Sequence, residues 1–254
     1  MSKPRVSLRK ASDGSPRERP TSGSAPELAI RNQDVNPVQA VHGQVRQRTG
    51  VRSEARSLAQ ARTAHEWDPE GIPFVAAPTS DLGNREDLDR VGDMRVRSVI
   101  RDAVLETIAI EGPIEYQLLM GKVVRRFGWQ RASEKRQVPV FGAIPNELIR
   151  TTPLGVFVWP TDLDPNTWRG FRLTTGADKR RLDTICPEEI INAMCHVARG
   201  RVCGRDALMR ETLGLFNQRR LTENSAFRLE QCLDLAVRVG RLEQSGSGYR
   251  AVDL

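Results

Sequence analysis

The chain has few of the side chains that most often act as catalytic bases. It contains three histidines in 254 residues, His42, His65 and His196. Histidine is the side chain whose unperturbed pKa lies closest to neutral pH, so three copies offer little material for general acid–base chemistry. Two of them, His42 and His65, also lie outside any segment with helical periodicity. We therefore expect that the protein is not an enzyme.

Cysteine is scarce as well, with Cys186, Cys195, Cys203 and Cys232 as the only four. They are too few and too widely spaced for a disulfide scaffold. Structural zinc sites prefer cysteine pairs separated by two to four residues, and none of these spacings fits. The cysteines are expected to be reduced, and we predict neither a metal nor a cofactor.

Two motifs of DNA-processing enzymes are missing from the sequence. There is no Gly-x-x-x-x-Gly-Lys-Ser/Thr loop to cradle phosphates. There is also no Glu-x-Lys or Asp-x-Lys pair of the kind that holds magnesium in restriction-type nucleases. Asp162 and Asp164 form the nearest acidic pair, and their position before Pro165 is typical of turn-forming residues. Neither an NTPase nor a metal nuclease is predicted.

Long apolar runs are absent too. No run reaches the ~18–20 residues of a membrane helix, and the N-terminus lacks the apolar segment of a secretory signal. These features predict a cytoplasmic protein.

Positive charge is what the chain has in excess, with 39 Lys and Arg against 32 Asp and Glu. Residues 1–62 hold twelve basic and five acidic residues and show no periodicity, which predicts a disordered basic tail. Residues 63–92 reverse the sign and contain one apolar cluster at 72–78, which predicts an acidic linker with one docking strand. The excess permits association with nucleic acid but does not demonstrate it.

Helical periodicity begins near residue 93 and occurs twice, with a shift of 89 residues that aligns Phe127 with Phe216. Each copy reads as three helices followed by a two-stranded hairpin. That is the plan of a winged helix, a helix-turn-helix variant whose third helix commonly enters the major groove. We predict a first winged-helix-like module at 93–160, a connector at 161–185 and a second module at 186–254. The fold class is mainly α with small β wings.

The third helix differs between the copies. Pro139 and Pro145 interrupt it in the first copy, where a proline in a helix interior costs ~3 kcal/mol. In the second copy the pattern runs without interruption over 222–239.

Seven short motifs in residues 93–252 together resemble a known family. They are Arg95-Val96-Arg97, Glu111-Gly112-Pro113-Ile114, Phe127-Gly128-Trp129-Gln130-Arg131, Phe157-Val158-Trp159-Pro160, Trp168-Arg169-Gly170-Phe171-Arg172, Cys186-Pro187-Glu188-Glu189-Ile190 and Gly240-Arg241-Leu242. The family is the tandem winged-helix domain of unknown function 3320, found at the C-terminus of large bacterial proteins with a superfamily 1 helicase and a Vsr-like endonuclease. The resemblance implies an accessory domain in DNA processing or phage defence, working with a separately encoded helicase or nuclease, and it transfers no catalytic residues.

Basic residues recur at the start of the third helix in both copies, where a winged helix meets DNA. The candidate DNA contacts are Arg219, Arg220 and Arg228 in the second module, Arg131, Lys135 and Arg136 in the first, and Arg241 and Arg250 on the second wing. Because its third helix is continuous, the second module is expected to make the main contact. There is an alternative to DNA contact for two of these residues: Arg219 and Arg220 could form ordinary surface ion pairs with Glu223 or Asp206. The alternative function is a protein adaptor, in which the winged helices bind a partner protein and only the tail touches nucleic acid.

Overall fold

The computed structural model describes residues 71–174 and 179–252. The predicted tail over 1–62 and the start of the predicted linker lie outside the described residues. The described chain forms six α-helices and three small β-sheets, so the mainly α class with small sheets is confirmed. No helix in these two ranges has the length and hydrophobicity to span a membrane.

The first set of elements follows a short N-terminal segment. That segment contains strand β1 (Ile72–Pro73) and a 3-10 turn (Arg85–Asp89). It is followed by α1 (Met94–Glu111), β2 (Ile114–Glu115), α2 (Tyr116–Arg125), α3 (Glu134–Phe141), a second 3-10 turn (Asn146–Leu148), β3 (Ile149–Thr152) and β4 (Gly155–Val158). Strand β4 lies between β2 and β3 and pairs antiparallel with both. We call residues 94–158 the first repeat.

The second set repeats this order after a connector. The connector contains β5 (Arg172–Leu173), which pairs parallel with β1, and a 3-10 turn (Leu182–Thr184). It is followed by α4 (Pro187–Val197), β6 (Cys203–Gly204), α5 (Arg205–Leu215), α6 (Glu223–Arg238), β7 (Leu242–Ser245) and β8 (Gly248–Ala251). Strand β8 is again the central strand, between β6 and β7. We call residues 187–251 the second repeat.

The helix ends are set by local signals in the sequence. Helix α4 begins with Pro187 at its first position and has Glu188 and Glu189 in its first turn. Helices α2 and α5 are each followed by a residue with positive φ at the matching position, Gly128 at +77° and Asn217 at +54°. A left-handed residue is a common way to stop a helix, so the two repeats use the same device.

The third helices differ as the prolines predict. Helix α3 has eight residues and contains Pro139, whereas α6 has sixteen. Both begin after a hydroxyl residue, Ser133 and Thr222, at the predicted shift of 89. Because α3 ends early, the first hairpin follows sooner, and the offset between β3 and β7 becomes 93 residues.

Each repeat encloses its own hydrophobic core. Phe127 and Phe216 lie in the first and second core, and each side chain is 1% exposed. Trp168 of the connector packs edge-to-face on Trp159 with a centroid distance of 5.5 Å, in a cluster that includes Cys186. The same cluster includes Phe157 of the first repeat, and Asn192 of the second donates to the carbonyl of Trp168, so the connector contacts both repeats. Phe171 belongs to the second core.

Residues 71–92 contact the first repeat along much of their length. The N–H of Ala77 donates to Oε1 of Glu111 at 2.7 Å, and the N–H of Leu82 donates to the carbonyl of Arg126 at 2.8 Å. Nε of Arg126 in turn donates to the carbonyl of Ser80 at 3.2 Å. This packing is more extensive than the single docking strand expected of a linker.

Arg172 on β5 is the main polar connection between the two repeats. Its side chain is fully buried and donates to Glu189 of α4, with Nε to Oε1 at 3.0 Å and Nη2 to Oε2 at 2.5 Å. It also donates to the carbonyls of Glu111, Gly112 and Pro113 at the end of α1. One guanidinium therefore satisfies the end of a helix in one repeat and a carboxylate in the other.

A second arginine completes this cluster. Arg180 binds Glu189 in bidentate fashion, with both N–O distances at 2.7 Å, and lies 4.5 Å from the ring centroid of Phe74. Burial alone would raise the pKa of Glu189, but Arg172 and Arg180 outweigh it and lower the pKa to about 2. The carboxylate is therefore ionised at neutral pH although no part of it is exposed.

Replacing Phe127 or Phe216 with alanine should destabilise the protein by about 3–5 kcal/mol, because each substitution removes a fully buried aromatic ring and leaves a cavity. The free energy of unfolding in urea, measured for the two single variants, tests this. Changing the exposed Phe227 to alanine is the control and should cost less than about 1 kcal/mol. Small, equal effects in all three variants would contradict the burial of the pair.

Replacing Glu189 with glutamine should destabilise the protein by about 3–5 kcal/mol at neutral pH, because two buried guanidinium groups lose their counter-charge. The folded pKa lies near 2 and the unfolded pKa near about 4.3. The stabilisation from the ionised carboxylate is therefore complete above about pH 4.3 and is lost as the pH falls through 2.

Urea unfolding from pH 2 to pH 6 measures this dependence. The difference between the natural chain and Glu189→Gln should be constant above about pH 4.3 and should shrink as the pH falls below that value. Glu243→Gln removes an exposed partner of Arg250 and should leave the acid dependence of stability unchanged. A constant difference between the natural chain and Glu189→Gln at every pH would rule out the ionised cluster.

Candidate nucleic-acid interface

The predicted basic residues of the first repeat lie around the N-terminus of α3. Arg131 is exposed in the loop before the helix, and Lys135 and Arg136 are in its first turn. The side chain of Lys135 is 88% exposed, and its Nζ lies 3.7 Å from Oδ1 of Asp89. An exposed pair at this distance is weak, so Lys135 can exchange it for another anion.

The ring of Trp129 packs against two arginines at this end of α3. The guanidinium carbon of Arg136 lies 3.1 Å from the centroid of the Trp129 ring, and that of Arg85 lies 5.1 Å from it. The ring nitrogen of Trp129 donates to the carbonyl of Arg85 at 3.2 Å, and Nη1 of Arg136 donates to Oγ of Ser133 at 3.1 Å. Cation–π contacts of this kind reduce the entropy that Arg136 would lose on binding a phosphate.

The outward side of α3 carries apolar residues beyond these charges. Val138 is 62% exposed and Phe141 is 46% exposed. The ring of Phe141 packs edge-on against Tyr116 of α2, with a centroid distance of 5.8 Å. The start of α3 therefore carries three basic residues against one exposed acid, Glu134, and the helix becomes apolar toward its end.

In the second repeat, Arg219 and Arg220 are exposed in the loop before α6. Neither forms an ion pair with a residue of 71–174 or 179–252, so the surface pairs with Glu223 or Asp206 do not form there. Both guanidinium groups are open to solvent.

Arg228 is a correction to the sequence prediction. Its side chain is buried rather than presented to a groove, and the residue is 7% exposed. Nη1 donates to the carbonyl of Leu154 at 2.8 Å and Nη2 to that of Ile185 at 2.9 Å. Arg228 therefore joins α6 to the first hairpin and the connector, and phosphate cannot reach it.

The two arginines of the second wing have other contacts as well. Nε of Arg250 forms an ion pair with Glu243, its cross-strand neighbour in the β7–β8 ladder. Arg241 is half-buried, and its carbonyl accepts a hydrogen bond from Sγ of Cys195 at 3.4 Å. Burial lowers the pKa of Arg241, and its neighbour Arg169 lowers it further.

The outward side of α6 is acidic. Glu223, Glu230 and Asp234 are at least partly exposed, and only Arg238 opposes them on this helix once Arg228 is buried. Glu230 forms an ion pair with Arg205 of α5, with 2.7 Å between Oε1 and Nη2. An uninterrupted helix with this charge repels a phosphate backbone. The continuity on which the expected DNA contact of the second repeat rested is present, but the charge on the outward side of this helix does not favour that contact.

Sequence reasoning missed the role of Trp129 and the burial of Arg228. The second had a signal, because Ser225, Arg228, Leu229 and Cys232 follow helical spacing and are all buried. Position 228 therefore falls on the inward side of α6. The contact between Trp129 and Arg85 has no comparable signal, because these two residues are 44 apart in the chain.

The cysteines are all free thiols in the structure, and three of them are buried. Burial raises the pKa of Cys232 to about 12 and the pKa of Cys186 well above its ordinary value. Within residues 71–174 and 179–252, no three His, Cys, Asp or Glu side chains are grouped to hold a metal ion.

Comparison with known proteins gives one match. A family model described as "Protein of unknown function (DUF3320)" matches residues 93–137. Comparison with curated proteins and comparison with solved structures each give no match. The matched segment begins at Asp93, the N-cap of α1, and ends inside α3, so it contains the basic group at the start of that helix. This segment of the chain is similar to that family.

Proposed function

We propose that the two repeats are winged-helix modules and that the protein is a non-catalytic DNA-binding accessory module. The order helix, strand, helix, helix and hairpin in both repeats supports the first part, as does the placement of the second hairpin strand at the centre of each sheet. Fold alone does not decide what such a module binds, so the second part rests on surface charge.

The DNA contact is assigned to the first repeat. The observation that carries this assignment is the group of Arg131, Lys135 and Arg136 at the start of α3, where Trp129 holds one of them in place. Helix N-termini with basic side chains are common phosphate contacts. Arg219 and Arg220 occupy the matching loop of the second repeat and add a smaller contribution.

The second repeat is assigned to a protein partner, such as a separately encoded helicase or nuclease in DNA processing or phage defence. On α6, Phe227 is 62% exposed and its helix carries acidic rather than basic charge outward. An exposed aromatic ring among acidic residues suits a protein surface better than DNA. In the alternative function both repeats bind protein, and the apolar Val138 and Phe141 on α3 favour it.

Replacing Arg131, Lys135 and Arg136 together with glutamine should weaken DNA binding by the full chain. Loss of up to three phosphate contacts should flatten the slope of log affinity against log salt by at most ~2.7, taking ~0.9 per contact. Replacing Arg219 and Arg220 should flatten it by at most ~1.8. Fluorescence anisotropy with a short duplex at four salt concentrations measures both slopes.

A charge-matched control is available in the second repeat. Arg201, Arg205 and Arg210 are exposed but paired with Glu211, Glu230 and Asp206, so their triple glutamine variant removes the same charge without removing a proposed contact. The basic tail is present in every variant and cancels in the comparison. Equal slopes for the first-repeat variant and this control would favour the protein-adaptor function.

A further inference from the structure

Three arginines from separate elements lie beside the C-terminal half of α4: Arg169, Arg199 and Arg241. Asn192, Cys195 and Arg199 follow helical spacing along α4 and the turn after it. Nδ2 of Asn192 donates to the carbonyls of Trp168 and Gly170, at 3.2 Å and 2.7 Å, and so fixes the backbone on both sides of Arg169.

Cys195 holds the backbone of Arg241 in place. Its Sγ donates to the carbonyl of Arg241, and the N–H of Val252 donates to the same carbonyl at 3.1 Å. The turn after α4 is held as well, because Ala251 of β8 donates its N–H to the carbonyl of Ala198 at 3.2 Å. The backbone at Arg169, Arg199 and Arg241 is therefore anchored around one edge of one helix.

In the described chain these three arginines have no acidic partner, a property that they share with Arg219 and Arg220. Other arginines there do pair with carboxylates, as Arg126 does with Glu106 and Arg201 with Glu211. Within the described ranges, Arg169, Arg199 and Arg241 form no ion pair with Asp or Glu. Arg169 uses only Nη1, which donates to the carbonyls of Asn166 and Trp168.

Like charges brought near one another without a counter-ion cost free energy. Burial lowers the pKa of Arg241, Cys195 acts to raise it, and Arg169 lowers it further. Burial raises the pKa of Cys195, while Arg241, Arg169 and Arg199 all act to lower it. An anion bound between the three guanidinium groups would remove this repulsion.

We propose that Arg169, Arg199 and Arg241 form a binding site for a phosphate group, carried either by a nucleic-acid backbone or by a free phosphate. Guanidinium groups present planar pairs of donors that match the oxygens of phosphate, so several arginines together suit this ligand. The site uses other residues and other elements than the basic group around α3. It therefore does not depend on the proposed DNA contact of the first repeat.

The test compares single variants of exposed arginines in the full chain. Arg199→Gln and Arg169→Gln should each weaken phosphate binding by about tenfold or more, because each removes charge-assisted hydrogen bonds. Arg201→Gln is the matched control, since Arg201 is two residues away and is paired with Glu211. Arg199→Lys keeps the charge and should recover part of the affinity.

Two probes separate the possible sources of the phosphate. The first is inorganic phosphate at constant ionic strength, followed by the rise in the unfolding temperature. The second is an oligomer of ten thymidines without terminal phosphate, followed by anisotropy. Weaker inorganic phosphate binding in Arg199→Gln than in Arg201→Gln supports the site and a free phosphate. A loss seen only with the oligomer supports the site and a nucleic-acid backbone.

The inference is overturned if Arg199→Gln and Arg169→Gln bind both probes as Arg201→Gln does. It is also overturned if the natural chain binds neither probe. The triple variant of Arg131, Lys135 and Arg136 serves as a further comparison, because it should retain inorganic phosphate binding at this site even if it loses duplex DNA. Failure of the first-repeat proposal and failure of this one therefore give different results.

Discussion

The buried contact between Arg172 and Glu189 is the interaction on which the arrangement of the two repeats depends. The carboxylate belongs to α4 of the second repeat, and the same guanidinium binds the carbonyls that end α1 of the first. Breaking a buried pair costs far more than forming it contributes, because the remaining charge has no water to solvate it. Any rearrangement that separates the repeats must therefore expose or leave unpaired two charged groups.

Much of the fold was predictable because its signals are local. The start of α4, the stops after α2 and α6, the early end of α3 and the second hairpin each follow from residues within one turn of the feature, such as Pro187, Gly128 and Pro139. The pairing of Phe127 with Phe216 followed from the repeat itself. Short-range rules of capping and backbone conformation decide such features.

The polar interior could not be predicted in the same way. Arg172 contacts carbonyls 59 to 61 residues earlier in the chain, and Arg228 contacts a carbonyl 74 residues earlier. In the sequence both arginines look like ordinary surface charges, because nothing near them indicates which backbone groups they will meet. The candidate site was affected for the same reason. The sequence identifies the basic residues, but whether each one is exposed and unpaired depends on partners that are distant in the chain, as Arg228 shows.

The two repeats share a plan and differ in what they present to solvent. The first has a short third helix with basic residues at its start, while the second has a long third helix with acidic residues and Phe227 outward. Two copies of one plan therefore keep similar cores while they present different charges to solvent.

In the proposed DNA complex, the early end of α3 limits how much of a duplex the helix can contact. At 1.5 Å per residue, a helix of eight residues is about 12 Å long, close to the width of the major groove, whereas α6 would reach about 24 Å. With its first turn on the backbone, α3 has about one further turn to reach base edges. Val138 and Phe141 are in that turn, and neither side chain can hydrogen-bond to a base. Contact through this helix would therefore distinguish DNA from other polymers by its charge and shape, with little discrimination between base sequences.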